Sequence, residues 1–504
     1  MDLELKRSHL AGYDLIMDTA VCQEETLETI VPDACPDILR LIDTQGKIFL
    51  KNKVCLDGKV VLNGTARLTV LYHPDNGTGP CCLEVNIPFQ TSLEDKNIRS
   101  GCFAVAELRV AGADTRTVNP RKIVTRVEIA VEVKVFSTST TVLCTGAEAG
   151  AEAIEQLLEE HRYFCISAVQ EKQISFEDSL SIQTGRSEAA ELINGMVELA
   201  CNETKIIGNK MIFKGEALVQ ILYRTSSGEL DVADFVLPLS QIAEVLGVGE
   251  EGKSDVKMCL TGAEFTLGDN GRTISVALSL LAQIIISEER SVKILNDAYS
   301  TSALVQTVRT PFCFQQCQVE GTGRQVVREI IETGLPIKSV IFSYCSIGRM
   351  AQKREGNECL LKAQIGITSL CITEDNELCA VSRSIEADCR IDIEAGNVCH
   401  FSCHCGNLTT TLTADGVEVK LTLMYPYRCM KDTQIVAVRE ASVEEFSSDT
   451  EERASIVLRI LSAGEHLWDV AKKYRTTIDD ILKVNGLESE QLDEGTLLLI
   501  PRKR

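Results

Sequence analysis

The segment "GKVVLNGTARLTVLY", Gly58–Tyr72, decides the fold of this chain because its pattern recurs twice further along. The related segments are "GNKMIFKGEALVQILY" from Gly208 and "GNECLLKAQIGITSLC" from Gly356. The matching residues Gly64, Gly215 and Ala363 lie 151 and 148 residues apart. Similarity at a nearly constant period is typical of repeated domains, so we expect three diverged copies of one domain.

Each copy has the pattern of an antiparallel β-domain. In the first segment Leu62, Gly64 and Ala66 alternate with Val61, Asn63 and Thr65, which predicts a strand with two different faces. A turn followed by another alternating strand ends each copy, as "PRKIVTRVEIAVEVKVF", "NGRTISVALSLLAQIII" and "DGVEVKLTLMYPYRC". Short strands between turns favour β-sandwiches.

The repeats predict the domain boundaries. Within the second copy, Ile154, Leu157 and Leu158 have helical spacing and predict a helix that connects it to the first copy. The acidic, serine-rich "REASVEEFSSDTEERAS" has little periodicity and predicts a solvated linker. The predicted ranges are 1–150, 151–300 and 301–435 for the three copies, 436–454 for the linker and 455–504 for a C-terminal domain.

Composition limits the partners of the protein. The 504 residues carry a formal net charge of -22, whereas nucleic acids and anionic lipids are bound by clustered Lys and Arg. We find no apolar run of secretory-signal or transmembrane length, so we expect a cytoplasmic protein without membrane insertion. Its 21 cysteines are spread over a long chain, which favours reduced, buried thiols over a disulfide framework.

One motif has the spacing of a phosphate-binding loop. "GVGEEGKS", Gly247–Ser254, matches G-x-x-x-x-G-K-S, but a helical turn precedes it and a strand follows it. A phosphate loop needs the reverse order of elements. Glu250 and Glu251 would also place negative charge beside the phosphates, so we expect no nucleotide cofactor.

A second motif resembles a metal site. "CHFSCHC", Cys399–Cys405, has the residue types of a zinc site. On a strand, Cys399, Cys403 and Cys405 share one face and the histidines lie on the other, without a C-x-x-C knuckle. We therefore expect core thiols and no metal. No catalytic constellation is recognisable, and we expect no enzyme activity.

The last fifty residues have a different pattern, of two strands around two helices. A strand, "SIVLRIL", precedes a helix with Leu467, Val470, Ala471 and Tyr474 on one face. Thr477 has the spacing of a helix cap for a second helix, and "GTLLLIP" predicts the closing strand. The domain is therefore expected to be βααβ.

This tail resembles the LysM module. The resemblance rests on residues at the family's spacings: Gly464, Leu467, Trp468, Ala471, Tyr474, Thr476, Thr477, Leu482, Asn485, Leu487, Leu492, Gly495, Leu497, Ile500 and Pro501. It implies that glycans containing N-acetylglucosamine, such as peptidoglycan or chitin-like chains, bind between two loops. The binding residues so implied are Gly464, Glu465, His466, Leu467, Asn485, Gly486 and Leu487, with Trp468 beside them.

Two features of the tail leave its ligand open. Glu465 and His466 stand where the family commonly has Asp and Thr, which weakens the helix cap and enlarges the side chains beside the groove. Trp468, the single tryptophan, is either a contact residue or a packing residue, and large aromatic side chains more often pack. The tail is thus expected to bind either a glycan or a protein.

The remaining chain resembles the SPOCS-domain proteins of spore-forming Clostridia. The resemblance rests on "VPDACPDILRLI" from Val31, "NPRKI" from Asn119 and the repeated sheet domains ahead of a LysM tail. The expected fold is therefore mainly β, with three tandem antiparallel sandwich-like SPOCS domains and a βααβ LysM domain. The resemblance implies a non-enzymatic role in spore-coat assembly, in the mother-cell cytosol at the forespore surface, with the LysM tail docked on a coat-scaffold ATPase. The alternative is a peptidoglycan-binding protein.

Overall fold

The structure is a computed structural model that describes residues 3–77, 79–149, 153–445 and 455–501. Strands make up most of these residues, and the two helices among them both lie near the C-terminus. The mainly β prediction is therefore confirmed. None of the helices in these ranges is long and apolar enough to cross a membrane.

The first copy contains six strands. They are β1 Leu3–Ile30, β2 Ile38–Leu56, β3 Lys59–Pro74, β4 Cys81–Glu94, β5 Phe103–Asn119 and β6 Lys122–Ala149. Strands β2, β3 and β4 form one antiparallel sheet with β3 in its centre. The opening segment of the sequence is this central strand. On the other sheet, β6 lies between β1 and β5.

The second and third copies repeat this order. The second has β7 Ile154–Ser181, β8 Ala189–Ile207, β9 Lys210–Thr225, β10 Leu230–Glu244, β11 Lys253–Leu267 and β12 Thr273–Ser300. The third has β13 Ala303–Ile331, β14 Ile337–Glu355, β15 Glu358–Thr373, β16 Leu378–Asp392, β17 Val398–Phe401, β18 His404–Thr413 and β19 Gly416–Glu445. Here β17 and β18 together replace the single strand β5 or β11, because the chain breaks its pairing with β19 at residues 402 and 403.

Each copy has an apolar core between its three-stranded sheet and its remaining strands. The remaining strands of the first and second copies belong to one six-stranded sheet, in which β1 pairs with β7. In the first copy Leu62 and Leu68 of β3 share one buried cluster with Ile129 and Val131 of β6. All four are fully buried, and each such side chain stabilises the fold by roughly 1.5–3 kcal/mol. The predicted alternation of β3 is confirmed, since Leu62 and Ala66 are buried and Asn63 and Thr65 are partly exposed.

The three copies also share two clusters between them. Leu71, Leu222 and Leu370 occupy equivalent positions on β3, β9 and β15, and they meet in one cluster. Further along the molecule, the long pairs β1–β6, β7–β12 and β13–β19 bring together the equivalent residues Leu143, Ile294 and Ala437. Equivalent residues that converge in this way place the copies around an approximate threefold axis.

The predicted helix between the first two copies is wrong. From Ile154 onward this segment forms the start of β7, which pairs with β12 along its whole length. Ile154 and Leu157 contact two different apolar clusters, so the strand buries part of each side chain. Long-range pairing and burial outweigh the local helical spacing. Residues 150–152 lie outside the described residues.

The predicted linker begins too early. Residues 436–445 belong to β19, whose pairing with β13 continues to the register pair Glu445 and Ala303. Buried Val438 and Val443 anchor this strand, while Glu440 and Glu444 are exposed. The acidic side chains therefore lie on the solvent side of a strand. Residues 446–454 lie outside the described residues.

Candidate functional site

The C-terminal domain has the predicted βααβ order. Its elements are β20 Ile456–Ile460, α1 Leu467–Tyr474, α2 Ile478–Asn485 and β21 Leu497–Pro501. Val470 and Ala471 of α1, Ile481 of α2 and Leu498 of β21 are fully buried in its core. The Thr477 hydroxyl accepts a hydrogen bond from the Asp480 amide at 3.1 Å, so Thr477 caps α2 as its spacing predicted.

The structure brings the two predicted groove loops together. Leu467, at the end of the first loop, and Leu487, in the second, pack in the same apolar cluster. Gly464, His466 and Gly486 are exposed at the surface of these loops. Gly464 and Gly486 have φ values of 72° and 63°, a conformation that side-chain-bearing residues adopt only with strain. The glycines therefore shape the loops.

The polar side chains of these loops are already bonded within the domain. Glu465 forms an ion pair with Arg459, and its other oxygen accepts from the Ser462 amide at 3.2 Å. Asn485 donates to the Ile481 and Leu499 carbonyls at 2.8 and 2.7 Å, and its oxygen accepts from the Leu499 amide at 2.8 Å. Asn485 thus fastens α2 to β21. A sugar would have to compete with these bonds for both side chains.

Trp468 faces the second copy and not the solvent. The side chain is 8% exposed, and its indole N–H donates to the Asp297 carboxylate at 3.0 Å. Its ring meets the Tyr299 ring edge-on, with 4.8 Å between the centroids. This geometry favours packing over ligand contact for Trp468.

The outer face of the domain's two-stranded sheet is apolar and exposed. The strands pair in the register Ile456 to Pro501, so side chains alternate between the helices and the solvent. The solvent-facing side chains, with their exposed fractions, are Ile456 59%, Leu458 64%, Ile460 61%, Leu497 61% and Leu499 37%. We call these five residues the apolar face. A contiguous aliphatic surface of this kind marks an interaction site more often than chance exposure does.

Sequence reasoning missed the apolar face, although the sequence contains a signal for it. A sheet strand with one solvated face alternates apolar and polar residues. In "SIVLRIL" and "GTLLLIP" apolar residues stand at nearly every strand position, so both faces are apolar. The prediction concentrated on the loops because the resemblance placed the family's binding site there.

The segment Cys399–Cys405 contributes thiols to the core of the third copy. Cys399 and Cys403 are buried and Cys405 is partly buried against the same cluster. Burial raises the pKa of the Cys403 thiol to about 12, which keeps the thiol protonated near neutral pH. Among the described residues, no group of three or more His, Cys, Asp and Glu side chains is placed to hold a metal ion.

The segment Gly247–Ser254 comprises part of the turn between β10 and β11 and the first two residues of β11, so a strand follows where a phosphate loop has a helix. The Gly249 amide donates to the Glu288 carboxylate at 2.6 Å, and the Gly208 amide donates to Glu250 at 3.3 Å. The Gly249 amide, which a phosphate would need free, is thus already bonded to a carboxylate. The arrangement therefore does not support nucleotide binding.

Comparison with known proteins identifies two kinds of domain. The family model described as "SipL, SPOCS domain" matches residues 37–118 and 188–267, which cover β2 to β5 and β8 to β11. The LysM domain model matches residues 462–501. No curated protein and no solved structure matches the chain. The chain therefore contains SPOCS-domain segments and a C-terminal LysM domain, as the resemblance implied.

Proposed function

We propose that this chain, with its SPOCS-domain segments and LysM tail, is a non-enzymatic adaptor in spore-envelope assembly. In this proposal all three β copies are SPOCS domains and form the body, in the mother-cell cytosol at the forespore surface. The LysM domain docks on a coat-scaffold ATPase there. The domain combination supports the setting, since both families are binding or scaffold domains without catalytic chemistry.

The apolar face carries the docking part of the proposal. Five aliphatic side chains offer no hydrogen-bonding groups to a sugar, whereas protein interfaces have apolar centres of this kind. The neighbouring groove loops have Glu465 and Asn485 bonded within the domain. The surface that the LysM domain presents therefore fits a protein better than a glycan.

A single substitution on the apolar face tests the docking role. Leu458→Lys places a charge in the centre of the face, and Val484→Lys on α2, where Val484 is 47% exposed, is the matched control. We expect Leu458→Lys to weaken binding of the ATPase by tenfold or more, about 1.4 kcal/mol, because central apolar contacts dominate interfaces. Affinity would be measured by calorimetry with the full-length chain, whose folding is checked by circular dichroism.

Equal affinity of Leu458→Lys and the wild-type chain would exclude the apolar face as the docking surface. Loss of binding in the Val484→Lys control as well would mean that the whole domain, and not this face, had been disturbed. A wild-type chain that fails to bind the ATPase would exclude the proposed partner itself.

Glycan binding is the second candidate, supported by the LysM match and by exposed Gly464, His466 and Gly486 at the two groove loops. Because Trp468 is buried, its fluorescence is a poor reporter for this groove. Calorimetric titration with chitin oligosaccharides reports binding directly. Gly486→Val, which strains the second loop at φ 63°, should abolish any heat of binding if the groove is the site.

A further inference from the structure

The LysM domain is seated on the second copy by a small set of buried residues. We propose that the second copy carries a dedicated docking site for the LysM domain of the same chain, in which Asp297 and Tyr299 fix the orientation of the domain. Both residues lie near the end of β12, two positions apart, and therefore point to the same face of that strand. We call this pair the LysM seat.

Asp297 holds one side of helix α1. Its side chain is 5% exposed, and it accepts hydrogen bonds from the Trp468 indole at 3.0 Å and from the Lys472 ammonium at 2.7 Å. Arg309 of β13 pairs with the same carboxylate at 2.8 Å. Trp468 and Lys472 are four residues apart, so one face of α1 carries both donors. A buried carboxylate requires such partners, and two of these three come from the LysM domain.

Tyr299 holds the connection between the two helices. Its side chain is 4% exposed, and its hydroxyl donates to the Thr476 carbonyl at 2.8 Å. The ring also packs in the cluster formed by the LysM core, together with Leu157 of β7. Attachment at α1 and at Thr476 gives two separate points of contact. Two points prevent rotation of the domain on its seat.

The seat exists in the second copy alone among the three. Each long strand pair has two β-bulges, one in each strand, and Gly146, Asp297 and Glu440 are the residues directly after the bulge in β6, β12 and β19. Two positions further on stand Glu148, Tyr299 and Ser442. Only the second copy combines a carboxylate with an aromatic ring. This difference explains why a domain that follows the third copy packs against the second.

Chain connectivity favours docking within one molecule. The third copy ends at Glu445, which pairs with Ala303, and Ala303 follows β12 after two residues. The LysM domain therefore starts near its seat. Nine residues span at most about 30 Å, and so short a tether gives a millimolar effective concentration. A second chain competes poorly with that concentration.

The seat also sets the direction of the apolar face. Helix α1 meets the second copy, whereas the outer face of β20 and β21 is exposed to solvent. The partner surface is thus presented in one direction relative to the β copies. The LysM domain acts as a fixed part of the molecule and not as a module on a free tether.

Trp468, the only tryptophan, gives a direct test in the full-length chain. Asp297→Ala should shift Trp468 emission to longer wavelength, raise acrylamide quenching severalfold, and speed proteolysis of the LysM domain about tenfold, because the domain spends more time undocked. Glu440→Ala, at the equivalent position of the third copy, is the matched control and should change none of these. Lys472→Ala removes the same ion pair from the LysM side and should act in the same direction as Asp297→Ala.

Unchanged quenching and proteolysis in both Asp297→Ala and Lys472→Ala would overturn the proposal. If Asp297→Ala loses its β-sheet circular dichroism, Lys472→Ala alone decides, since Lys472 lies outside the β copies. Light scattering tests whether the LysM domain that occupies the seat belongs to the same chain or to a second chain. A concentration-independent monomer with buried Trp468 supports docking within one chain, whereas a dimer whose Trp468 becomes exposed on dilution would assign the seat to a second copy.

Discussion

At the scale of single residues, Trp468 and Asp297 illustrate what sequence reasoning reaches and what it misses. The large aromatic side chain in a small two-helix domain predicted packing or contact, and the structure places it in a packed position. Its partner Asp297 lies 171 residues earlier in the chain. No local pattern marks Asp297, because it is one acidic residue among 73 and its role depends on tertiary packing.

Docking of the LysM domain should depend on pH through Asp297. Burial raises the pKa of Asp297, but hydrogen bonds from Lys472, Trp468 and Arg309 more than offset burial and hold the pKa below its ordinary value of 3.8. Thr307 also faces the carboxylate, and Glu155 and Asp480 lie near Tyr299. Because the pKa of Asp297 is lower in the docked state, its ionised carboxylate stabilises docking fully at pH values above 3.8. This stabilisation is lost as the pH falls through the lowered pKa. Trp468 emission should therefore shift only below about pH 4, and Asp297→Asn should remove much of that pH dependence.

At the scale of elements, the strands could be predicted from the sequence, whereas the helix predicted between the first two copies is a strand in the structure. Alternation in the opening segment predicted that β3 is a strand with two different faces, because the environment of the side chains repeats every two residues. The segment from Ile154 has helical spacing, yet it pairs along β12. The conformation of such a segment depends on a partner strand more than a hundred residues away, so local spacing predicts it poorly.

Gly64, in the centre of β3, should be intolerant of a side chain. A Cβ there would meet the Phe89 ring at 2.5 Å and the Phe49 carbonyl oxygen at 2.8 Å. Gly64→Ala is therefore expected to lower the free energy of unfolding by roughly 1–3 kcal/mol. Gly112→Ala in β5, where a Cβ meets nothing within 4 Å, should change it by about 0.5 kcal/mol or less. Urea denaturation measures both, and equal effects would contradict the steric explanation.

At the scale of the whole molecule, the repeat period predicted three copies but not their arrangement. The repeat period describes the order of residues along the chain and contains no information on how the copies pack together. Convergence of Leu71, Leu222 and Leu370 depends on the outer faces of three separate sheets. Those side chains look like ordinary strand residues in the sequence, since apolar residues are common on both faces of these strands.

The central cluster should stabilise the assembly of the copies. Leu222 is 2% exposed, whereas Leu218 on the same strand and face is 39% exposed. Leu222→Ala is expected to cost roughly 2–5 kcal/mol of unfolding free energy because it leaves a cavity among three copies. Leu218→Ala should cost about 0.5 kcal/mol or less. Hydrogen exchange should then rise in β3 and β15 as well as β9 for Leu222→Ala, and a rise confined to β9 would argue against a shared cluster.

The pairing of β1 with β6, β7 with β12 and β13 with β19 has a consequence for synthesis on the ribosome. Each long pair closes within its own copy, so every copy can fold as it emerges, before the next is translated. The LysM seat cannot close in this way, because Trp468, a partner of Asp297, is translated 171 residues later. In a nascent chain that lacks the LysM domain, Asp297 has neither Trp468 nor Lys472 as a partner, and Tyr299 is uncovered. Closure of the seat therefore follows the folding of the three copies, and it shows that translation has passed the LysM helices.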